Sequence, residues 1–394
     1  MSFGGSFTLA WRYVSRHRVQ SLLLALALGT VLALPLAVRV VVQAMEQQMR
    51  VRARSTPLIA GPKGSATDLM LAALHFQRNA NATMPVSACD AVRDTGYAEA
   101  IPLHIRFQAQ KAPIIGTELD YFDYRGLKLA EGKMLTRLGD CVLGARVAAD
   151  KGLHTGGAIF SSPEEVFNIA GVYPLKMRIA GVLAPTGTPD DEAVFVDLKT
   201  TWLIQGLAHG HDDLAKADSS QVLSKDASGV VGNAAVRMFY EVTDANIESF
   251  HFHGDEGAFP IHAMLVLPHD VKSEALIAGR YQSDKELQMQ RPIDVLETLL
   301  GTLFKVERLI MGALMLVATA AIAVAVLVFW LSFRMRQKEF ATLADIGVSE
   351  GTLRMVRAWE ICLVGAGAVV VAILVRGAAA ALAHGWFLKG LLVS

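Results

Sequence analysis

Two pairs of histidines, each separated by a single residue, carry the clearest metal-ligand chemistry in this sequence. His209 and His211 form the first pair, and His251 and His253 form the second. Residues two apart in an extended strand share a face, so each pair could direct two imidazoles at one ion. Imidazole nitrogen is a common ligand of zinc, which makes zinc the candidate cofactor. The alternative is that these are solvated loop histidines, since a chain with 11 histidines contains such pairs by chance.

A serine in a Gly-x-Ser-x-Gly sequence raises the question of nucleophilic catalysis. Gly347, Ser349 and Gly351 match the nucleophile elbow of α/β-hydrolases, in which a strand precedes the serine and a helix follows it. Here the motif lies between two long apolar segments with no strand before it, so we reject a catalytic Ser349. The chain also contains no Gly-x-x-x-x-Gly-Lys-Ser/Thr sequence for binding ATP phosphates. We predict that the chain is not itself an enzyme.

The three cysteines show no metal-type or redox spacing. Cys362 lies in an apolar run, whereas Cys89 and Cys141 lie in a more polar region. Cys89 and Cys141 could form a disulfide only in an oxidising compartment. The sequence leaves that pairing open.

Hydropathy indicates an integral membrane protein. Hydrophobic residues make up 53% of the chain and charged residues 19%, with a net charge of zero, whereas soluble chains carry about 25% charged residues. A neutral chain has no basic field for nucleic acid. The apolar residues gather in three predicted spans, residues 20–43, 306–333 and 358–388, and about 20 such residues cross a bilayer. The first run exceeds the roughly 7–15 residues of a signal-peptide core, so we expect it to be retained.

Basic residues near the span ends predict the orientation of the chain. They precede the first span and fill the segment between the second and third, at Arg12, Arg16, Arg18, Arg334, Arg336, Lys338, Arg354 and Arg357. Both places are therefore expected to be cytoplasmic. Residues 44–305 then form one extracytoplasmic domain, and residues 389–394 form an external tail.

Short strand-like and helical stretches alternate within residues 44–305, which predicts an α+β domain. Met177–Leu183 and Ala263–Leu267 are typical of strands, and Ala145–Gly152 is typical of a helix. Both ends of the domain have helical patterns that run into the spans, so we expect helical stalks. The predicted fold class is an α-helical transmembrane bundle with a large inserted α+β extracytoplasmic domain.

Two cytoplasmic stretches could meet a partner. Residues 1–19 place Phe3, Phe7 and Trp11 on one stripe, which predicts an amphipathic helix lying on membrane lipid.

The second stretch, residues 334–357, predicts a short helix that ends near Ile346, a stop at Gly347, and a new helix capped by Ser349. Phe340, Leu343 and Ile346 would offer apolar surface beside Glu339. The alternative is a mere connector, but a connector of this length could be far more polar.

The order of these features resembles the FtsX-like, or MacB-like, ABC permease family. Residues 9–18 look like the entry helix of the family, and residues 336–347 look like its coupling helix. Within the external domain, residues 126–132, 142–144, 152–156 and 180–182 are similar to the periplasmic core domain of the family. The individual motifs are degenerate, and their order along most of the chain is the specific part.

The resemblance implies a permease subunit in a bacterial inner membrane. A separate ATPase, which holds ATP and Mg, would dock on the coupling helix at Glu339, Phe340, Leu343, Ile346 and Gly347. The family further implies a second permease copy or paralogue, with a periplasmic partner protein as a further possibility. ATP hydrolysis would then drive movement of the periplasmic domain for export, extraction or mechanotransmission.

Family members normally have four spans, so we expect that a fourth helix is either missing from this sequence or lost in a shortened member. Two other classes stay open from the sequence. One is a membrane-anchored periplasmic binding or sensory protein that handles a divalent metal such as zinc. The other is an external metalloenzyme.

Overall fold

The computed structural model describes residues 3–78, 82–162, 174–210, 222–226, 229–232 and 239–390. The chain divides into two compact units. We call the first the helical unit (Met1–Gln47 and Leu300–Phe387) and the second the sheet unit, which contains Gln48–Leu299. The described helices are α1 Phe3–Arg16, α2 Arg18–Arg54, α3 Ala66–His75, α4 Ser87–Arg93, α5 Asp120–Arg125, α6 Ala145–Lys151, α7 Leu198–Gln205, α8 Val271–Gln282, α9 Pro292–Met335, α10 Gln337–Asp345 and α11 Glu350–Gly390.

Three of these helices are long and apolar enough to cross a membrane. Helix α2 has 37 residues, α9 has 44 and α11 has 41. At 1.5 Å per residue, each exceeds the roughly 30 Å hydrocarbon thickness of a bilayer. Each helix therefore extends beyond its predicted span: α2 and α9 run on into the sheet unit, and α11 begins eight residues before residue 358.

Small residues allow α2 and α11 to approach closely within the helical unit. A Cβ atom added at Gly29 would lie 2.6 Å from the carbonyl oxygen of Ala368 and 2.6 Å from the Cβ of Val371. Ala33 and Ala368 are buried beside this crossing. Such close contact between helices in a membrane depends on small residues, which let the two backbones approach each other.

We predict that Gly29→Ala lowers the stability of the helical unit. In a helix interior, Gly→Ala alone stabilises by about 1 kcal/mol, but overpacking a tight contact costs about 1–3 kcal/mol. Gly365→Ala on α11 is the matched control, because a Cβ atom there meets nothing within 4 Å. The thermal midpoint of the detergent-solubilised chain should fall for Gly29→Ala and not for Gly365→Ala. Equal midpoints for the two variants would contradict this packing.

Apart from the 12-residue strand Ala98–Ala109, the described strands of the sheet unit are short, as expected for an α+β domain. They are β1 Leu58–Pro62, β2 Met84–Pro85, β3 Ala98–Ala109, β4 Ala112–Thr117, β5 Leu129–Gly132, β6 Asp140–Leu143, β7 Ala158–Phe160, β8 Lys176–Leu183, β9 Val194–Asp197, β10 Ala208–Gly210, β11 Val222–Asp226, β12 Gly229–Gly232, β13 Phe250–Phe252, β14 Pro260–Ile261, β15 Ala263–Pro268 and β16 Leu287–Gln290.

The main sheet has ten strands in the order β16-β1-β15-β3-β4-β9-β6-β8-β5, with β7 also paired to β8. The β4–β9 and β6–β8 pairs are parallel, and the other pairs in this sheet are antiparallel. The buried strands follow from apolar sequences such as Ile-Ile-Gly in β4 and Val-Phe-Val in β9. The predicted fold class, apolar spanning helices with an inserted α+β domain, is confirmed.

Two hydrophobic cores are found among the described residues of the sheet unit. One lies around β4, β6, β8 and β9 and contains Cys141, and the other lies around β1, β3 and β15 and contains Cys89. Both thiols are free and fully buried. The disulfide left open by the sequence therefore does not form, because the two cysteines belong to different cores.

Candidate functional site

The segment between α9 and α11 is a short helix held between two sharp breaks. Helix α10 follows α9 after Arg336 and ends at Asp345. Gly347 has a positive φ of 94°, which glycine adopts without strain, and its N–H donates to the carbonyl of Ala344 at 2.9 Å. The Ser349 hydroxyl lies 2.9 Å from that of Thr352, at the start of α11.

Arg336 joins this segment to the rest of the helical unit. Its Nη1 donates to both carboxylate oxygens of Glu360 at 2.9 Å, and its Nε donates to Glu339 at 3.1 Å. The guanidinium also lies 3.4 Å from the ring centroid of Tyr13 on α1. One side chain therefore ties the start of α10 to both α1 and α11.

Phe340 is buried, whereas the sequence indicated that its side chain would be exposed. Its side chain is only 4% exposed. The guanidinium of Arg336 lies 4.8 Å from its ring centroid and that of Arg357 lies 4.4 Å from it. The expectation that Phe340 offers apolar surface to a partner is therefore wrong. The ring faces its own helical unit because cation–π contacts with two arginines hold it there.

The other four predicted docking residues remain accessible. Ile346 is 73% exposed, and the Glu339 side chain is 67% exposed. Leu343 is half-buried and Gly347 is exposed. The structure thus brings Glu339, Leu343, Ile346 and Gly347 together on or beside one short helix, with Phe340 beneath it.

A buried ion pair, which the sequence did not indicate, fixes the last turn of α2 inside the sheet unit. Arg52 donates to both carboxylate oxygens of Asp190, at 2.6 and 3.0 Å. The Tyr121 hydroxyl donates to Asp190 at 2.6 Å, and the Thr188 hydroxyl donates to it at 2.8 Å. Arg52 and Asp190 are 6% and 1% exposed. We call Arg52, Tyr121, Thr188 and Asp190 the stalk clamp.

The electrostatics of the stalk clamp keep its ion pair charged. Burial disfavours the charged form of Asp190, but the Arg52 guanidinium and the hydroxyl donors outweigh that penalty and lower the pKa of Asp190 to about 2. Burial, followed by the neighbouring Asp190 charge, raises the pKa of Tyr121, so its hydroxyl stays protonated. Each group thus carries the charge that its hydrogen bonds require.

Three of the four predicted metal-ligand histidines come together in the structure. Their potential ligand atoms, on His209, His251 and His253, all lie within 4.8 Å of one another. His211 lies outside the described residues. His262, near the second pair in sequence, is instead buried elsewhere and accepts from the N–H of Ile105 at 3.2 Å.

The long apolar helices and the inserted sheet unit define a membrane protein with a large inserted extracytoplasmic α+β domain. Residues 21–236 match the MacB-like periplasmic core domain, and this is more than half of the chain. The chain therefore belongs to the MacB-like family of ABC-transporter permeases, as its motifs indicated.

Solved structures of the same type align with the chain at low identity. The periplasmic region of MacB from Actinobacillus actinomycetemcomitans is 15% identical, with 62% of this chain and 94% of that one covered and a TM-score of 0.34. The extracellular domain of the noncanonic ABC-type transporter YknZ from Gram-positive bacteria is 11% identical, with 60% and 98% covered and a TM-score of 0.31. No curated protein matches the sequence. Both superpositions are loose, so family membership rests on the sequence match.

Proposed function

We propose that the chain is a permease subunit that couples ATP hydrolysis by a separate ATPase to movement of its own periplasmic domain. The observation that carries this proposal is α10, a short helix anchored through Arg336 beside which Ile346 is exposed and on which Leu343 is half-buried. A connector would need neither the anchor nor exposed apolar side chains. A docking helix needs both features. The exposed apolar surface binds the partner, and the anchor transmits the force from the partner to the rest of the helical unit.

Arg336 supplies the mechanical link in this proposal. A charge pair in which one guanidinium nitrogen donates to both carboxylate oxygens and which is largely shielded from water resists separation, since removing one partner of a buried pair costs about 3–5 kcal/mol. Glu360 is 3% exposed, so its bond to Arg336 has this character. A displacement of α10 would therefore move α11, and through Tyr13 also α1.

The long helices would carry the movement outward. Helix α2 runs without interruption from Arg18 to Arg54, and its last turn holds the stalk clamp. Helix α9 begins at Pro292, and Leu296 in its first turns is fully buried in the sheet unit. The last turn of α2 and the first turns of α9 are thus both held within the sheet unit, the domain that these helices are proposed to move.

The proposed location is the bacterial inner membrane, with residues 334–357 and the N-terminus in the cytoplasm and the sheet unit in the periplasm. The grouping of basic residues around α1 and α10 supports this orientation. ATP and Mg belong to the partner ATPase. Exposed apolar side chains on α9, such as Leu309 and Leu316 at 76% and 73%, would face lipid and a second permease copy or paralogue.

Purification of the tagged full-length chain from its native membrane tests this proposal. We expect a protein with a P-loop ATPase sequence to copurify in stoichiometric amount, and its recovery to survive a high-salt wash if apolar contacts dominate. An untagged strain provides the background. Recovery of the intact chain with no ATPase would contradict the proposal and favour a membrane-anchored binding or sensory protein.

A further inference from the structure

We propose that His209, His251 and His253 form a site for one borderline divalent cation of the zinc class on the surface of the sheet unit. We call these three residues the histidine cluster. The proposal is independent of the docking helix, which lies in the other unit.

The pairing of two short strands brings the histidine cluster together. Strands β10 and β13 are antiparallel, and His209 lies directly opposite His251 in their register. Residues opposite each other in such a pair have side chains on the same face. His253 follows two residues after His251 and so returns to that face.

The alternate residues of both strands hold the histidine cluster in place from the other side. Ala208 is buried, and Phe250 and Phe252 pack against the two hydrophobic cores of the sheet unit. The N–H of His253 donates to the carbonyl of Leu207 at 3.0 Å, which extends the strand pairing beyond β10. The imidazoles are therefore displayed on a backbone that the cores position.

A backbone hydrogen bond sets the tautomer of one ligand. Nδ1 of His251 lies 3.1 Å from the carbonyl oxygen of Ser249. Because a carbonyl can only accept, Nδ1 carries the hydrogen, and in the neutral imidazole the lone pair is then on Nε2. Metal-binding histidines characteristically donate their other ring nitrogen to a carbonyl or carboxylate in this way.

The donor set selects the class of ion. Three imidazole nitrogens suit zinc and its borderline neighbours, whereas magnesium and calcium require oxygen ligands. Three protein ligands leave a fourth tetrahedral position for water or a bound molecule. Zn–N distances of about 2.0–2.1 Å place ligand nitrogens roughly 3.3 Å apart, so the present spacing within 4.8 Å closes by side-chain rotation.

Ring stacking is the competing explanation for the histidine cluster. The ring centroids of its three pairs are 4.8, 4.6 and 4.8 Å apart, which is also normal for imidazoles in contact without an ion. The two explanations differ in what happens when zinc is added, because stacking alone binds none.

Metal titration of the purified full-length chain tests the proposal, with a tag that contains no histidine. We expect one equivalent of Zn²⁺ to bind in competition with a chromophoric chelator, and Co²⁺ to give the visible absorption of a tetrahedral site. His251→Ala should weaken Zn²⁺ binding by at least about 100-fold, because even indirect partners of a metal contribute 10–100-fold. His253→Gln, at an exposed residue of the cluster, should also weaken Zn²⁺ binding.

His154→Ala is the matched control, since its side chain is 78% exposed in the same unit and outside the histidine cluster. It should leave Zn²⁺ affinity unchanged, and the thermal midpoints of all variants without metal should agree. The proposal would be overturned if the parent chain bound no stoichiometric Zn²⁺. It would equally be overturned if His251→Ala and His253→Gln both bound Zn²⁺ as tightly as His154→Ala.

Discussion

Replacing Asp190 by asparagine should destabilise the sheet unit by about 3–5 kcal/mol, because the guanidinium of Arg52 would be left buried without its counter-charge. Asparagine keeps the size of the side chain, so the change removes charge and little else. The attachment of the last turn of α2 to the short 3-10 helix Pro189–Glu192 would lose its charge pairing and weaken. Under the proposed function, ATP-dependent movement of the sheet unit would weaken together with its stability.

Two buried thiols report this loss directly. Cys89 and Cys141 are fully buried, and burial raises the pKa of both thiols, that of Cys89 to about 12. We therefore expect neither thiol to react while the unit is folded. Labelling rates in urea, measured on full-length chain with Cys362→Ser, therefore follow opening of the sheet unit. Asp190→Asn should shift the labelling transition to clearly lower urea.

Asp244→Asn is the matched control for this experiment. Asp244 also pairs with an arginine, Arg137, but its side chain is 90% exposed, and exposed pairs contribute about 0–1 kcal/mol. The account predicts a small shift for Asp244→Asn and a large one for Asp190→Asn. Shifts of similar size would show that the stalk clamp does not stabilise the unit.

Acid should reproduce part of the Asp190→Asn effect in the parent chain. The pKa of Asp190 falls from 3.8 to about 2 on folding. A carboxylate with a depressed folded-state pKa stabilises the fold above its unfolded value, and that stabilisation is lost as the pH falls through the folded value. The parent should therefore lose the clamp between about pH 4 and pH 2, whereas Asp190→Asn should lack this contribution throughout.

The spanning helices and the α+β class could be predicted because both depend on local patterns. A run of apolar residues identifies a span wherever the rest of the chain lies. The end of α10 at Gly347 could be predicted for the same reason, because a glycine that follows a helical stretch marks the end of the helix from local sequence alone. Local patterns could not give the strand order, because β1 pairs with β15 and β16 from the far end of the sheet unit.

The stalk clamp could not be predicted for a related reason. Arg52 lies in a basic stretch with Arg50 and Arg54, and nothing in that stretch marks the middle one as buried. Its partner Asp190 is 138 positions away. Only the packed domain decides which arginine enters the core.

Phe340 shows a second limit of sequence patterns. The amphipathic spacing of Phe340, Leu343 and Ile346 indicates that α10 has an apolar side, but it does not say whether that side meets a partner or its own chain. In the structure, Arg336 and Arg357 cover the Phe340 ring, so this part of the apolar side meets its own chain. The histidine pairs show the converse, because alternation along a strand was readable, whereas the approach of His209 to His251 depended on β10 pairing with β13.

Ile346→Asp should reduce ATPase binding by roughly 100-fold or more. Burying one large apolar side chain contributes about 1.5–3 kcal/mol, and each 1.4 kcal/mol is a factor of ten in affinity. An aspartate would also place an unpaired charge in the contact. Ile346 is 73% exposed, so the helical unit should keep its own stability.

Val271→Asp is the matched control, since Val271 is 80% exposed on α8 in the sheet unit. It makes the same chemical change on the other side of the proposed membrane. Phe340→Ala shows how a folding defect would differ from a docking defect. Removing this buried ring should lower both ATPase binding and the thermal midpoint of the chain. Ile346→Asp should lower binding alone.

The most direct test of the coupling account is recovery of the ATPase on immobilised full-length chain at matched expression, with parent, Ile346→Asp and Val271→Asp side by side. The account predicts equal recovery for the parent and Val271→Asp, and almost none for Ile346→Asp at an unchanged thermal midpoint. Recovery from Ile346→Asp equal to that from Val271→Asp would contradict it, because the ATPase would then dock somewhere other than the surface of α10.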